Sequence, residues 1–380
     1  MKIYADYAAT TPVDTQVIES MMEVYQKHYG NASSIHNIGR DARSILDASR
    51  MSIAKLLNVQ PKEIIFTSGA TESNNLAIKG VAYQNQHKGK HLITTKIEHH
   101  SVLHVFQQLE KEGFEVTYLD VDSNGIVQIE TLKSALREDT ILVSIMFGNN
   151  EVGSIQPIDE IASILNNHKA IFHTDGVQTV GHLQLDLKAL GVDLFTITAH
   201  KFYGPKGVGL LYVKEKTPIQ YQQLGGSQET KRRAGTENIP LIKGMQVALE
   251  LAQKDLDDRN VKMMNLKSEL IHRLQEKMIP FEINGDMNQS LSHIINIHFP
   301  FSDVEIMLTI LDMNGVYVSS GSACTAGSIE PSHVLSAMYG NDIRTKQSIR
   351  ISLSHLMTNE SIDYIVSQIE SIYQNAMKEG

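Results

Sequence analysis

The feature that most constrains the fold is an alternation of short apolar, β-branched runs with longer amphipathic stretches. When a helix connects two strands of one sheet the strands run parallel, so this alternation favours an α/β domain with a largely parallel sheet. Helices long enough for right-handed crossovers are predicted at 71–86, 100–111 and 157–167. Strands are predicted at residues 64–67, 92–95, 115–119, 141–147, 170–174, 193–198 and 208–213.

The pattern changes after Gly226. Residues 237–278 place apolar side chains at helical spacing and predict one or two long helices. Strand-like runs at 292–298, 316–319 and 348–353, closed by a helix at about 359–376, predict a smaller α+β unit. We therefore expect a large domain over residues 15–256 and a small domain made from residues 1–14 and 257–380.

Composition argues against several classes of protein. The formal net charge of -9 disfavours a surface that binds nucleic acid directly. Residues 1–20 show neither a signal peptide nor a membrane anchor. The chain has one cysteine, Cys324, which cannot form an internal disulfide and so fits a reducing compartment. We expect a cytoplasmic protein whose cysteine is either a small filler or a reagent.

Unusual residues follow several of the predicted strands, at the sheet edge where ligands of α/β proteins bind. The run FTSGATES at 66–73 leads from a strand into a helix near Thr71, where small residues and the helix dipole favour a phosphate, although the same residues suit a plain helix cap. The run HTDGVQTVG at 173–181 places Asp175 after a strand, where a helix cap is again the alternative.

Histidines and a lysine follow two further strands. TKIEHHSV at 95–102 supplies His99 and His100, with His104 one turn beyond, and a zinc site that also uses Glu98 is an alternative. TITAHKFYGPKGVG at 196–209 ends a buried-looking strand in a lysine, Lys201. That side chain either extends to solvent or, with its pKa lowered by burial, suits a Schiff base.

Together these strand ends supply what pyridoxal 5'-phosphate requires from a protein. The helix start would hold the phosphate, and Lys201 would form the covalent link. Asp175 would keep the pyridine nitrogen protonated, and His99 would lie on the ring face.

In this order the motifs are specific, and the chain resembles the cysteine desulfurases of the class V aminotransferase family, which are fold-type I pyridoxal-phosphate enzymes. The resemblance spans nearly the whole length. It rests on YADYAATTP at 4–12, YGNASSIHNIGR at 29–40, TSGATESNN at 67–75, EHHSV at 98–102, NNEVGSIQP at 149–157, HTDGVQ at 173–178, AHKFYGPKG at 199–207, RRAGTEN at 232–238, SSGSACTAGSIEPSHVL at 319–335 and SIRISLS at 348–354.

The resemblance implies a role for each matching residue. Lys201, His99 and Cys324 would be catalytic, with Lys201 shuttling protons and His99 assisting as an acid and base. Asn31, Asn150 and Arg350 would hold the substrate carboxylate. Cofactor contacts are implied for Ala70, Thr71, His99, Asn150, Asp175, Gln178, Thr198, His200, Lys201 and, from the neighbouring subunit of a homodimer, Thr236. No metal ligand is implied, and the large domain, 15–256, would bind the cofactor.

The resemblance also gives the single cysteine a purpose. Cys324 would take sulfur from L-cysteine as a persulfide, leaving L-alanine, and its loop at 319–328 in the small domain would move to deliver the sulfur. The acceptor would be a protein of tRNA thiolation or iron-sulfur cluster assembly, either a tRNA thiouridylase or an iron-sulfur scaffold. Thr198 replaces a common serine and keeps its hydroxyl, while Ser354 stands where glycine is frequent.

Other functions remain open at this stage. A selenocysteine lyase or another pyridoxal-phosphate lyase or aminotransferase would keep Lys201 and Asp175, although an aminotransferase would not need a mobile cysteine loop. A sulfur-carrier or scaffold protein would use Cys324 without a cofactor. A zinc hydrolase would use His99, His100 and His104.

Overall fold

The computed structural model describes residues 1–321 and 331–379, so Cys324 and most of its predicted loop lie outside the described residues. The strands are β1 Ile3–Tyr4, β2 Ile64–Thr67, β3 His91–Thr95, β4 Glu115–Leu119, β5 Thr140–Ser144, β6 Ile171–Asp175, β7 Leu194–Thr198, β8 Gly209–Val213, β9 Glu282–Ile283, β10 Ile294–His298, β11 Val316–Tyr317 and β12 Ser348–Ser352. The helices are α1 Thr15–Lys27, α2 Asn37–Leu56, α3 Ala70–Asn85, α4 His100–Lys111, α5 Ile129–Ala135, α6 Ile158–Leu165, α7 Leu187–Leu190, α8 Gln228–Lys231, α9 Ile239–Lys254, α10 Leu256–Glu276, α11 Val304–Met313, α12 His333–Tyr339 and α13 Asn359–Glu379.

The main sheet confirms the predicted α/β fold with a mostly parallel seven-stranded sheet. Its strand order is β2-β8-β7-β6-β5-β3-β4. Neighbouring strands from β7 to β4 are parallel, whereas β8 runs antiparallel to both β7 and β2. All the predicted strands of this sheet exist, and their ends differ from prediction by three residues at most.

Burial explains why these strands are continuous apolar runs. Every residue of β5, β6 and β7 is buried, as expected for central strands that are covered by helices on both faces. One large core cluster extends from Val17 to Ala252, and another lies under α3 and α4. The carboxyl ends of the parallel strands are therefore held at one rigid edge.

A smaller unit packs its own core. β10 pairs antiparallel with β12 and β9, and β1 pairs parallel with β11. Its buried cluster joins Ile3 and Ala5 to residues between Leu266 and Ile372. The chain therefore places its first strand among its last elements, although the boundaries at 14/15 and 256/257 stay a prediction.

The structure decides one prediction and shortens another. The stretch 237–278, predicted as one or two helices, forms two, because Asp255 leaves helical geometry with φ −108° and ψ 20° between α9 and α10. The predicted strand 316–319 ends at Tyr317, beyond which Ser319 makes an isolated bridge to Arg350. Within residues 1–321 and 331–379, no helix combines the length and the apolar character that spanning a bilayer requires.

Candidate active site

A cavity of about 490 Å³ opens where the parallel strands of the main sheet end. It gathers residues that the sequence analysis selected from widely separated motifs. Those residues are Ala70, Thr71, His99, Asn150, Asp175, Gln178, Thr198, His200, Lys201 and Arg350.

Three selected residues are placed differently. Asn31 and Thr236 are exposed and are not among the residues that line this cavity. The resemblance assigns Thr236 to the site of a neighbouring subunit, for which an exposed position in one chain is expected, and that assignment stays a prediction. Cys324 lies outside the described residues, and of the described part of its predicted loop, 319–321, Gly321 lines the cavity.

Lys201 is fixed at the end of a short 3-10 turn that follows β7. Its Nζ donates to the backbone oxygens of Ala8 at 2.5 Å and Ala9 at 2.9 Å, so the amine lies against the N-terminal YADYAATTP segment. Nearby, the Thr11 side chain accepts a hydrogen bond from the Tyr203 N–H at 2.8 Å, which ties the same segment to the turn. The N-terminal segment and the turn that carries Lys201 are therefore joined through both the amine and the backbone.

Asp175 is the last residue of β6 and is 5% exposed. Its Oδ1 accepts the Val177 N–H at 3.0 Å within a turn, and no helix begins there, so the helix-cap alternative is wrong. Its Oδ2 accepts a hydrogen bond from Asn74 Nδ2 at 2.8 Å. Asp175 also lines the cavity, so it does more than cap a turn.

His99 is the N-cap residue of α4, and its Nδ1 accepts the Ser101 N–H at 3.1 Å. Burial lowers the pKa of His99 below its usual value, and the positive charge of Lys201 acts in the same direction, whereas Asp175 opposes it. The ring is therefore held with Nδ1 as an acceptor, and burial favours its neutral form.

The start of α3 lies on the cavity wall. Gly69, the N-cap residue, has φ +152° and offers no side chain to cap the helix, so the first turn of N–H groups at Ala70 and Thr71 borders the cavity. Thr198 and His200 approach from the end of β7. Burial lowers the pKa of His200 to about 4, so this ring is a neutral hydrogen-bonding group near pH 7.

Arg350 lies on β12 at the other end of the cavity and is 2% exposed. Its Nη1 donates to the backbone oxygens of Asn150 and Gly321, both at 2.8 Å, and its Nη2 donates to Asp6 Oδ1 at 2.6 Å. The sequence analysis selected Arg350 but missed Asp6. The YADYAATTP motif contained that residue, yet nothing local indicated a partner 344 positions away.

Glu151, in the NNEVGSIQP motif, was also missed. Its side chain is fully buried, lines the cavity and accepts a hydrogen bond from Ser332 Oγ. His333 Nδ1 lies 3.9 Å from Glu151 Oε1, and its Nε2 lies 2.9 Å from the Glu98 carbonyl oxygen. A buried carboxylate therefore reaches the residues that follow the predicted cysteine loop.

The ring of His100 stacks on that of His104 and is tilted relative to that of His99. The rings of His100 and His104 are 5.0 Å apart at 28°, and those of His99 and His100 are 6.3 Å apart at 57°. Among residues 1–321 and 331–379, no group of three or more histidine, cysteine, aspartate or glutamate side chains is placed to hold a metal ion. The zinc-hydrolase alternative thus gains no support from this cluster.

A family model described as Aminotransferase class-V matches residues 3–365. The chain is 47% identical over 373 residues to cysteine desulfurase IscS of Dictyoglomus turgidum, covering 98% of this chain and 95% of that one. It is 44% identical over 372 residues to cysteine desulfurase IscS of Methanosarcina thermophila, covering 98% and 92% of the two chains.

Solved structures with the same fold cover nearly the whole chain. A NifS-like protein is 39% identical with a TM-score of 0.93 and covers 99% of this chain and 100% of its own. A structure of SspA in complex with cysteine is 35% identical with a TM-score of 0.81, covering 93% of this chain and 99% of its own.

Proposed function

The chain belongs to the class V aminotransferase family and, within it, to the cysteine desulfurases, and we propose that this cavity converts L-cysteine to L-alanine and passes the sulfur to Cys324. One observation carries the proposal. An amine, an imidazole and a carboxylate from three separate strand ends, Lys201, His99 and Asp175, line one cavity together with a buried guanidinium, that of Arg350.

The residues present fit pyridoxal 5'-phosphate. The phosphate would lie at the N-terminus of α3, where Gly69 leaves the helix start open, with Thr198 and His200 beside it. Asp175 would bind the pyridine nitrogen and Gln178 the ring hydroxyl. When bound here, this cofactor would supply electron withdrawal at the alpha carbon of a bound amino acid.

Several residues of the chain would hold and move protons around that group. The Lys201 amine would exchange a proton with the alpha carbon, since it is the amine fixed at the cavity floor by Ala8 and Ala9. His99 has its Nδ1 engaged by the Ser101 N–H, so its other ring nitrogen, Nε2, would donate and accept protons at the substrate.

The substrate carboxylate would lie at the Arg350 end of the cavity. The planar guanidinium of Arg350 can bind a carboxylate with two hydrogen bonds. Asn150 lines the same cavity and completes the proposed contact set, whereas Asn31 is exposed outside it. The similar SspA chain was solved in complex with cysteine, which supports L-cysteine as the amino acid that fits here.

The sulfur-transfer step requires a second thiol, which Cys324 supplies as the only cysteine of the chain. Its thiolate would attack the substrate sulfur, forming an S–S bond while the C–S bond breaks. The electron pair of the broken bond is protonated at carbon, giving L-alanine, and Cys324 holds one additional sulfur atom. The step needs no external oxidant or reductant.

The proposal extends to the assembly and its setting. We propose a cytoplasmic homodimer in which Thr236 binds the phosphate in the neighbouring subunit, and a large domain over 15–256 that holds the cofactor. Tyr29 and Ile35 are 74% and 91% exposed, which supports an apolar contact between copies. The persulfide would pass to an acceptor protein, either a tRNA thiouridylase or an iron-sulfur scaffold.

The decisive experiment is the intact mass of the purified protein after brief exposure to L-cysteine without reductant. We expect the parent to gain one sulfur atom and a Cys324→Ser variant to gain none. A yellow protein that releases alanine but gains sulfur in both forms would refute Cys324 as acceptor. A colourless protein that binds sulfur without producing alanine would instead indicate a carrier or scaffold.

The lyase and aminotransferase alternatives are separated by products. A selenocysteine lyase would release alanine from L-selenocysteine and little from L-cysteine, and an aminotransferase would form a keto acid. We expect alanine from L-cysteine, lost in the Cys324→Ser variant.

A further inference from the structure

The side-chain amide of Asn74 connects two groups of the candidate active site. Asn74 lies in the second turn of α3 and is fully buried. Its Nδ2 donates to Asp175 Oδ2 at 2.8 Å and to Ser101 Oγ at 2.9 Å, so both hydrogens of one amide are used. Ser101 Oγ in turn lies 2.8 Å from His99 Nδ1.

Chemistry fixes the direction of each hydrogen bond in this chain. A rotated amide would put Asn74 Oδ1 against a carboxylate oxygen of Asp175, with two acceptors facing each other. The Ser101 hydroxyl accepts from Asn74, which leaves its own hydrogen for His99 Nδ1. That nitrogen already accepts the Ser101 backbone N–H at 3.1 Å, so two donors meet it. A neutral His99 ring must then carry its proton on Nε2.

We propose that Asn74 is a positioning residue that orients the Asp175 carboxylate with one amide hydrogen and, through Ser101, holds His99 in its Nε2–H form with the other. This inference rests on the proposed function, because Asp175 and His99 are the groups that would contact the cofactor ring. It adds a residue to which the sequence and the resemblance assign no role.

The burial pattern supports this role over a purely structural one. Asn74 Oδ1 is buried and has no hydrogen-bond partner among the described residues. Leaving a buried carbonyl oxygen unsatisfied costs on the order of 1–3 kcal/mol, which an apolar side chain of similar volume would avoid. The amide is therefore explained by its two N–H donors and not by packing.

The adjacent residue offers a matched control. Asn75 is also an asparagine of α3, but its Nδ2 donates to the Thr71 carbonyl oxygen on the exposed side of the helix. Asn74→Asp and Asn75→Asp change the net charge equally, one position apart. Only the former places a second carboxylate beside Asp175, where two like charges in contact cannot both stay ionised.

The test measures two quantities on the parent, Asn74→Asp, Asn75→Asp and Ser101→Ala proteins. The first is the Kd for pyridoxal 5'-phosphate. We expect this Kd to rise by about 10–100-fold in Asn74→Asp, as for a lost hydrogen bond to a charged group. In Asn75→Asp and Ser101→Ala it should change by less than about twofold, since neither Asn75 nor Ser101 donates to Asp175.

The second quantity is the tautomer of His99, read from the ¹⁵N shifts of labelled histidine and assigned with a His99→Gln variant. We expect the Nε2–H form in the parent and in Asn75→Asp, and a mixture with the Nδ1–H form in Ser101→Ala. An Nδ1–H ring in the parent, or equal Kd values for Asn74→Asp and Asn75→Asp, would overturn the inference. A parent that binds no pyridoxal 5'-phosphate would refute the proposed function, while the tautomer comparison would still decide the inference.

Discussion

The two ends of the cavity are constructed differently. At the proposed cofactor end, the expected contacts come from Ala70, Thr71, Thr198 and His200, which lie where β2 and β7 end in one sheet. At the substrate end, Arg350 joins segments near residues 6, 150 and 321 from both units of the fold. The first end can be recognised from local sequence, whereas the second exists only after the whole chain has folded.

The cofactor end is predicted to be the more sensitive to a single change. Lys201→Ala should reduce alanine production by about 10³-fold or more, because it removes both the covalent link and the proton carrier. Lys201→Arg keeps the charge beside Ala8 and Ala9 but cannot form that link, so it should be equally inactive. Borohydride treatment followed by intact mass should show cofactor retained by the parent alone.

Substantial turnover by Lys201→Arg would mean that charge alone is required at this position. The difference between the two ends would then not lie in covalent chemistry.

At the substrate end we expect an effect on KM for L-cysteine. Arg350→Lys keeps the positive charge but loses the planar guanidinium. That guanidinium donates to Asp6, Asn150 and Gly321 and would bind the substrate carboxylate with two hydrogen bonds. KM should rise by about 10–100-fold, with a smaller change in kcat. Steady-state kinetics beside Arg344→Lys, whose arginine pairs with Glu282 and Asp342, provides the control.

An unchanged KM in Arg350→Lys would place the substrate carboxylate elsewhere. In that case Arg350 would serve only to join the N-terminal segment to the small unit.

Two acidic residues near the cavity are compensated differently. Asp6 forms an ion pair with Arg350. Glu98 precedes His99, does not line the cavity and is fully buried, and burial raises its pKa to about 8 from the ordinary 4.5, assisted by the charge of Asp175. A raised folded-state pKa contributes stability that is complete below pH 4.5 and is lost as the pH rises through about 8.

The parent should therefore lose roughly 2 kcal/mol of unfolding free energy between about pH 6 and 9 from this group. Glu98→Gln cannot ionise and should lose less over that range. Denaturant unfolding across this pH range measures the difference. Parallel pH profiles for the two proteins would show that Glu98 does not titrate in this way.

The smallest effect is expected at Thr198, whose hydroxyl donates to the Val208 carbonyl oxygen at 3.3 Å and borders the cavity. Thr198→Ser keeps the hydroxyl and should change the Kd for pyridoxal 5'-phosphate by less than about twofold. Thr198→Val keeps the shape but removes the hydroxyl, so Kd should rise by about five- to tenfold. Fluorescence titration of the apoproteins compares them. Equal values for both variants would remove Thr198 from the phosphate site.

Much of the fold follows from sequence, because strands buried on both faces must be apolar runs. This is why the ends of β2, which is buried throughout, agree residue for residue with the prediction. The side-chain pattern does not encode the antiparallel direction of β8. The direction is indicated only by the short connection between β7 and β8, because a parallel return needs a long crossover.

The residues of the candidate site also fall into those that the sequence predicts and those that it does not. Lys201, His99 and Asp175 are polar residues at the ends of apolar strands, which makes them visible without a structure. Asp6 and Asn74 gave no such signal, because each is defined by a partner more than 100 positions away. Pairing across that distance depends on tertiary packing, and one sequence does not show it.

The parallel pairing of β1 with β11 has a consequence for biosynthesis. β1 includes Ile3, and its partner residue Val316 follows more than 300 positions later. At a ribosomal rate of about 5–20 residues per second, the first strand waits roughly 15–60 s for its partner to be translated. During that interval the N-terminal segment, which later contacts Lys201 and Arg350, has no partner strand. A nascent chain can therefore fold the main sheet before the substrate end of the cavity exists.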